Sequence, residues 1–469
     1  MRTPGCAEII AVACVLMVLP WASAQGEAPP LPRVQEEKPD RSRLTDEVIP
    51  LQIDLIPERP APLIEIGDAF LGRGEIGRGF ELPTGAVWNP RLQVYGTYRT
   101  AVQVYDDGNE TFSEWVNRLD IFANLQLSGT ERILFGMRPF DRDGNRFSGY
   151  VFEPERRDGW ENGFEARVET LFFEGDIGEM FPNLDQDDSG ITDFGFSVGR
   201  QPMRLQEGLF LDDTIDSVGI IRNTLKPGDS SNLRFTGFWG WNDVNRGNNV
   251  RDRTADIFGL FTEADLPFST MALDLAYVDA REDRGDGFFA AVSAVQRIGQ
   301  VNTSFRAMTS VPLDDDNAFV GEGTLLFAEV SITPHGTQDL LYGNVFWGIG
   351  DYTSVSRGPD AGGPLGRVGI LFAAVGLGRY DAALSNQAQD VVGAAVGWQH
   401  LWDEGRQQLI LEAAGRITTD RDDSSGSAIG ARYQRAFGRR FIIRTDVFGR
   451  WVESGGLGAG ARIEFLVKF

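Results

Sequence analysis

Nine arginines recur at alternate positions in segments that alternate apolar and polar residues: Arg99, Arg118, Arg167, Arg234, Arg306, Arg416, Arg432, Arg444 and Arg462. A guanidinium grips a carboxylate or phosphate through two parallel hydrogen bonds. A ladder of them along a water-filled wall would focus the field on passing anions. The same polar faces carry Asp120, Glu165 and Glu169, with Asp274, Glu412, Asp446 and Glu464 further on. The competing reading is therefore that the arginines pair with these acids and hold the wall together. Composition also contributes, because only three of the 44 basic residues are lysine.

A second group is acidic. Glu207, Asp212, Asp213 and Asp216 cluster in 202–217. If that segment turned inward as a loop, its carboxylates would face the arginines and narrow the passage; the alternative is a solvated surface loop. A third group, Asp185, Asp187 and Asp193 in Asp185-Gln-Asp-Asp-Ser-Gly190, begins like a calcium loop, with oxygens at positions 1, 3 and 5 and glycine at 6. Phe196 stands where the bidentate glutamate belongs, so an ordinary acidic turn is the competing reading. Beyond this calcium-like turn no cofactor is expected.

Catalytic chemistry finds little to work with. The two cysteines, Cys6 and Cys14, lie in the first 24 residues, and the two histidines, His335 and His400, sit in a turn and beside tryptophans. No Gly-x-Ser-x-Gly elbow occurs, and the reading is of a chain that is not an enzyme. A formal charge of −24 argues against nucleic acid.

The elements that would position these groups are strands. Residues 1–24 read as a cleaved secretory signal: Arg2, an apolar run from Ile9 to Leu19, then Ala22-Ser23-Ala24. Residues 25–90 form a Pro- and Gly-rich leader expected in the periplasm. From Arg91 to Phe469, segments of about ten residues alternate apolar and polar, as transmembrane barrel strands do. Connections alternate too. Ser128-Gly129-Thr130, Pro267-Phe268-Ser269 and Asp403-Glu404-Gly405 are tight, whereas 140–163, 243–253, 312–319 and 421–427 are long and polar. Tryptophans 115, 239, 241, 347, 402 and 451 fall near segment ends, where a membrane barrel carries its aromatic girdles.

These features predict an all-β chain: one transmembrane antiparallel β-barrel of about 18 strands, with 16 as the alternative. The count has a parity conflict. The segments near 366–378 and 389–402 would both run downward, so 353–388 holds either a loop excursion or an unseen strand. The last strand alternates through Leu457, Ile463, Phe465 and Val467 to a terminal Phe469. Such an ending resembles the assembly signal of bacterial outer-membrane proteins and implies the barrel assembly machinery, membrane lipid and lipopolysaccharide as partners.

Phe196-Ser197-Val198-Gly199-Arg200-Gln201, followed by Gly208-Leu209 and Asp212-Asp213, resembles the alginate-export porin family. That resemblance implies a strand, a loop and a return strand here, in a large channel of the outer membrane. Alginate itself is not carried over, because the inward faces mix signs and the loops are acidic. The expected role is a channel for small polar or anionic solutes, carbohydrate or carboxylate. The alternatives are a scaffolding barrel for a periplasmic partner and, behind it, a barrel enzyme.

Overall fold

The computed structural model describes residues 60–69, 77–142, 146–187, 189–281, 284–314, 319–418 and 425–469. The signal, most of the leader, Asp188 and the tip of the 421–427 loop lie outside them.

Eighteen antiparallel strands close into a barrel. They are β1 (Arg91–Asp106), β2 (Thr111–Gln126), β3 (Arg132–Met137), β4 (Val168–Asp176), β5 (Gly195–Leu205) and β6 (Leu211–Leu225). Next come β7 (Asn232–Trp241), β8 (Asp256–Asp265), β9 (Ser269–Asp279), β10 (Gly287–Ile298), β11 (Val301–Pro312) and β12 (Gly323–Ile332). The ring ends with β13 (Leu340–Asp351), β14 (Gln389–Trp402), β15 (Gln407–Thr418), β16 (Gly426–Phe437), β17 (Phe441–Val452) and β18 (Gly456–Lys468). The seam is the pairing of β1 with β18, from Thr97↔Lys468 to Asp106↔Ala459.

The distribution of polarity is inverted relative to a soluble sandwich. Outward positions such as Val102, Trp239, Leu273, Val345, Val396 and Ile429 are exposed and apolar, whereas Glu412, Arg416, Asp446, Arg462 and Glu464 are buried inside. Water would reject that outer face and lipid accepts it. The tight connections gather at the end of the barrel that carries Phe469. The longest ones, 138–167, 242–255 and 352–388, gather at the other. The exceptions are 177–194, a long connection at the Phe469 end, and 107–110 and 453–455, short ones at the other.

Segment 352–388 resolves the parity conflict. It is a single excursion and contributes no wall strand; its sole strand pairing is Ser356–Arg357 alongside Leu211–Asp212, in parallel. Segment 202–217 is not the open loop that the sequence implied. It is a paired hairpin, continuous from Gly195↔Ile221 to Leu205↔Leu211, with only 206–210 as its tip. β6 last touches β7 at Asp216↔Trp241. Beyond that residue the hairpin leaves the wall, and its freed edge is taken by 356–357.

Hairpin and excursion meet in a dry core inside the barrel. Leu209, Phe210 and Ile215 pack with Leu365, Leu371 and Phe372 against inward wall residues including Phe289, Met308, Leu325 and Phe346. Alternation alone predicted a polar lumen. In this half of it the inward positions are apolar because they cover the infolded segments. Each such side chain contributes on the order of 2 kcal/mol when withdrawn from water. Buried polar staples fix the register. Asp213 accepts from the Asn245 amide N–H at 2.9 Å and from the Ser356 hydroxyl. Arg357, fully buried, donates to the carbonyls of Gly208, Ala361 and Gly362.

Candidate functional site

The dry core occupies one side, so open volume remains toward β2–β6. A cavity of about 740 Å³ is bounded by the wall (Arg118, Arg138, Arg167, Glu169), the hairpin (Arg200, Met203, Arg204, Asp212) and the excursion (Asp360, Arg367). Its lining holds seven arginines against four carboxylates, a formal excess of three positive charges. A second cavity of about 400 Å³ lies beneath the hairpin tip, lined by Gln206, Glu207, Arg234, Glu263, Asp274 and Arg306 among others. Met203 and Arg204 line both. At that junction one carboxylate, Asp212, holds two guanidiniums: Arg204 Nε at 3.2 Å and Arg367 Nη2 at 3.3 Å.

The nine arginines expected on the inner face separate into three groups. Arg118 and Arg167 line the upper cavity, where Arg118 donates to Asp120 at 3.0 Å and to the Gly376 carbonyl. Arg167 pairs with Glu169; Glu165 precedes them, its backbone N–H bonded to the Pro139 carbonyl. Arg234 and Arg306 line the lower cavity, paired with Glu263 at 2.8 Å and Glu329 at 2.6 Å. Of the remaining five, four serve the wall and Arg416 serves the excursion. Arg99, Arg432, Arg444 and Arg462 surround Asp446 and Glu464 near the seam, and Arg416 donates to the carbonyls of Ser385 and Gln387. The wall-holding role and the cavity-lining role are thus both present, on different strands.

The acidic four also divide. Asp212 faces the upper cavity and Glu207 the lower, 4.0 Å from Arg306. Asp213 is the buried staple, and Asp216 binds the Asn242 amide at 2.8 Å near the rim. Narrowing of the lumen is shared between the hairpin and segment 352–388. The sequence reading placed it in 202–217 alone. Arg138, Arg204, Arg251, Arg367 and Asp360 were missed. Arg138, Arg251, Arg367 and Asp360 belong to connections, where no alternation assigns a side chain to a face. Arg204 lies where the hairpin has already left the wall.

Across the upper cavity, Asp360 reaches Arg138 at 3.2 Å, and Arg138 also holds Asp141 at 3.1 Å. Burial, with Asp360 as a second negative charge, pushes the Asp141 carboxyl up to about 6. Asp360 is likewise raised by burial.

At the calcium-like turn, Asp185 accepts from the Ser189 amide at 2.9 Å, the Ser189 hydroxyl at 2.8 Å and the Ile191 amide at 3.2 Å. These bonds hold its carboxyl below the usual range. Asp193 points instead toward Arg222, 3.9 Å away, and does not join Asp185. Among the described residues no three His, Cys, Asp or Glu side chains group as a metal site. His400 Nδ1 donates to the Asp339 carboxylate at 2.8 Å, between Trp398 and Trp402 on the outer face.

No family model matches the chain, and no curated protein matches it. Solved structures do. OccK2 (OpdF) of Pseudomonas aeruginosa aligns with TM-score 0.55 at 10% identity, covering 81% of this chain and 97% of that one. A BenF-like porin from Pseudomonas fluorescens Pf-5 aligns with TM-score 0.55 at 11% identity, over 81% and 98%. The fold is that of a porin. Pseudomonas aeruginosa OpdK, crystallised with vanillate, aligns with TM-score 0.55 at 12% identity over 81% and 98% of the chains. A complex of OccK2 with glucuronate gives 0.53 at 11% identity. The porin fold bears out the general part of the likeness drawn from Gly199-Arg200-Gln201; its alginate-export part rests on those residues alone.

Proposed function

We propose that this chain is an outer-membrane channel through which small polar solutes, carboxylates above all, diffuse down their gradient. The observation that carries this reading is the pair of arginine-lined cavities that meet at Arg204. A carboxylate solute in the upper cavity meets an excess of guanidiniums. It can replace Asp212 as the partner of Arg204 and Arg367, because Arg367 grips Asp212 through a two-bond fork that any carboxylate can take over, and Arg204 adds a single Nε bond beside it. Vanillate and glucuronate, present in two structural neighbours, are both compact ring carboxylates, which supports this solute class. A polyanionic chain such as alginate fits poorly, since acids line the same path.

On this reading the first 24 residues direct export and are removed. The Phe469 end of the barrel faces the periplasm and engages the assembly machinery, and the apolar outer face meets membrane lipid. No catalytic step and no cofactor belong to the reading; the Asp185 turn acts as a self-capped turn. Single-channel recording in a planar bilayer tests it. The expected result is a small, anion-preferring conductance that vanillate partly blocks. A barrel that inserts yet passes no current would overturn the channel and favour the scaffold.

A further inference from the structure

The outer surface is not uniform. Across β14–β17 it sinks into an apolar groove of about 710 Å³. Its floor is Ala413, Ala431 and Gly449, small residues in register with bulky Val396 and Ile429 on one row and Leu411 and Val447 on the next. Ile429 is 69% exposed and Val396 60%, so the walls stand clear of the floor. A Cβ built on Gly449 would meet nothing within 4 Å, so the hollow is open at that point.

The same strands carry a cationic end. Arg435 shares the outward parity of Ala431 and lies four residues nearer the Phe469 end, about 14 Å along the strand. Its guanidinium lies over the Phe437 ring, 4.8 Å from the centroid. Arg439 and Arg440 follow in the turn, and both are exposed. Tyr433, between the groove and Arg435, stacks with Trp402 at 6.0 Å, as an interfacial aromatic belt does.

We infer that this groove holds one acyl chain of a phospholipid from the periplasmic leaflet, its phosphate bound at Arg435 and the adjoining turn. The inference rests on the barrel spanning a membrane and is independent of what passes through the lumen. Transfer from lipid to groove gains no hydrophobic energy, because both are apolar. The gain comes from filling a hollow that disordered chains pack poorly, and from the phosphate contact. The 14 Å offset suits this ligand, since it places a headgroup at the cations when a chain lies on the alanine floor.

Native mass spectrometry of barrels released from nanodiscs of phosphatidylethanolamine and phosphatidylglycerol tests it. The wild type should retain one phospholipid. Ala431→Leu with Gly449→Leu, which fills the floor, should lose it. Arg435→Gln should weaken retention about fivefold with the groove intact. Unaltered channel conductance of the variants would show that the barrel still folds. Equal retention by the filled variant would overturn the proposal. So would recovery of lipopolysaccharide or a second copy of the chain on this face in place of phospholipid.

Discussion

In the proposed channel, Asp212 is the residue on which selectivity would turn. Its single negative charge is shared between Arg204 and Arg367 where the two cavities meet. Asp212→Asn should leave both guanidiniums free and raise anion preference, read as a shift of reversal potential in a salt gradient. Arg204→Gln with Arg367→Gln should move the potential the other way and abolish vanillate block; an unchanged potential would remove the pair from the filter. Asp141 adds a pH dependence. Its carboxyl, which backs the cavity-lining Arg138, is raised from 3.8 to about 6, so it sheds its charge as pH falls through that value and Arg138 loses a counter-charge. Anion conductance should therefore rise between pH 7 and pH 5, and Asp141→Asn should diminish that step, leaving the part that Asp360 supplies. The linked effect on stability has a fixed sign. A raised folded pKa means the native state binds the extra proton, so this group's stabilisation is fully present below about pH 4 and is lost as pH rises through 6. Arg118, Arg138 and Arg167 line the cavity in front of Asp141, and the step belongs to the acids.

At the scale of elements, the excursion 352–388 shares with the hairpin the narrowing of the lumen. It is held by a small number of directed bonds. Glu412 accepts from the Ile370 and Leu371 amides, each at 2.9 Å, and Arg379 bridges Glu114 and Glu161. Gly369 at φ +58° makes the first of these possible, since a Cβ there would lie 2.4 Å from the Glu412 carboxylate. Gly369→Val should unseat the excursion and give a larger, noisier conductance with weaker anion preference; recordings indistinguishable from wild type would show that it is held elsewhere.

The walls were legible because alternation is imposed by lipid on one face and by neighbours on the other, as in β1 with Val102 outside and Arg99 inside. The interior was less so. Phe289, Met308 and Phe346 sit at inward positions that the pattern reserves for polar groups, and what covers them is supplied by a distant segment. The hairpin 206–210 and the 352–388 excursion carry no period, so neither the dry core nor Arg367 could be placed from local sequence. The parity conflict was the one sequence signal that pointed to the excursion, and it gave the location without the direction of folding.

For the molecule as a whole, stability rests on the inverted surface. A charge placed at mid-height on the outer face, as in Val345→Arg, should cost about 2–4 kcal/mol in reversible folding into vesicles. The same substitution made at a rim position should cost much less. The excursion also touches strands on both sides of the seam. Gln103 and Glu114, on β1 and β2, hold Leu377 and Arg379, while Arg416 and Arg450, on β15 and β17, hold Ser385 and Ala383. The first and last strands meet only when the barrel closes. Segment 352–388 therefore works as an internal clasp. It cannot seat fully before closure, and once seated it opposes reopening, so barrel completion and channel formation should occur as one kinetic event.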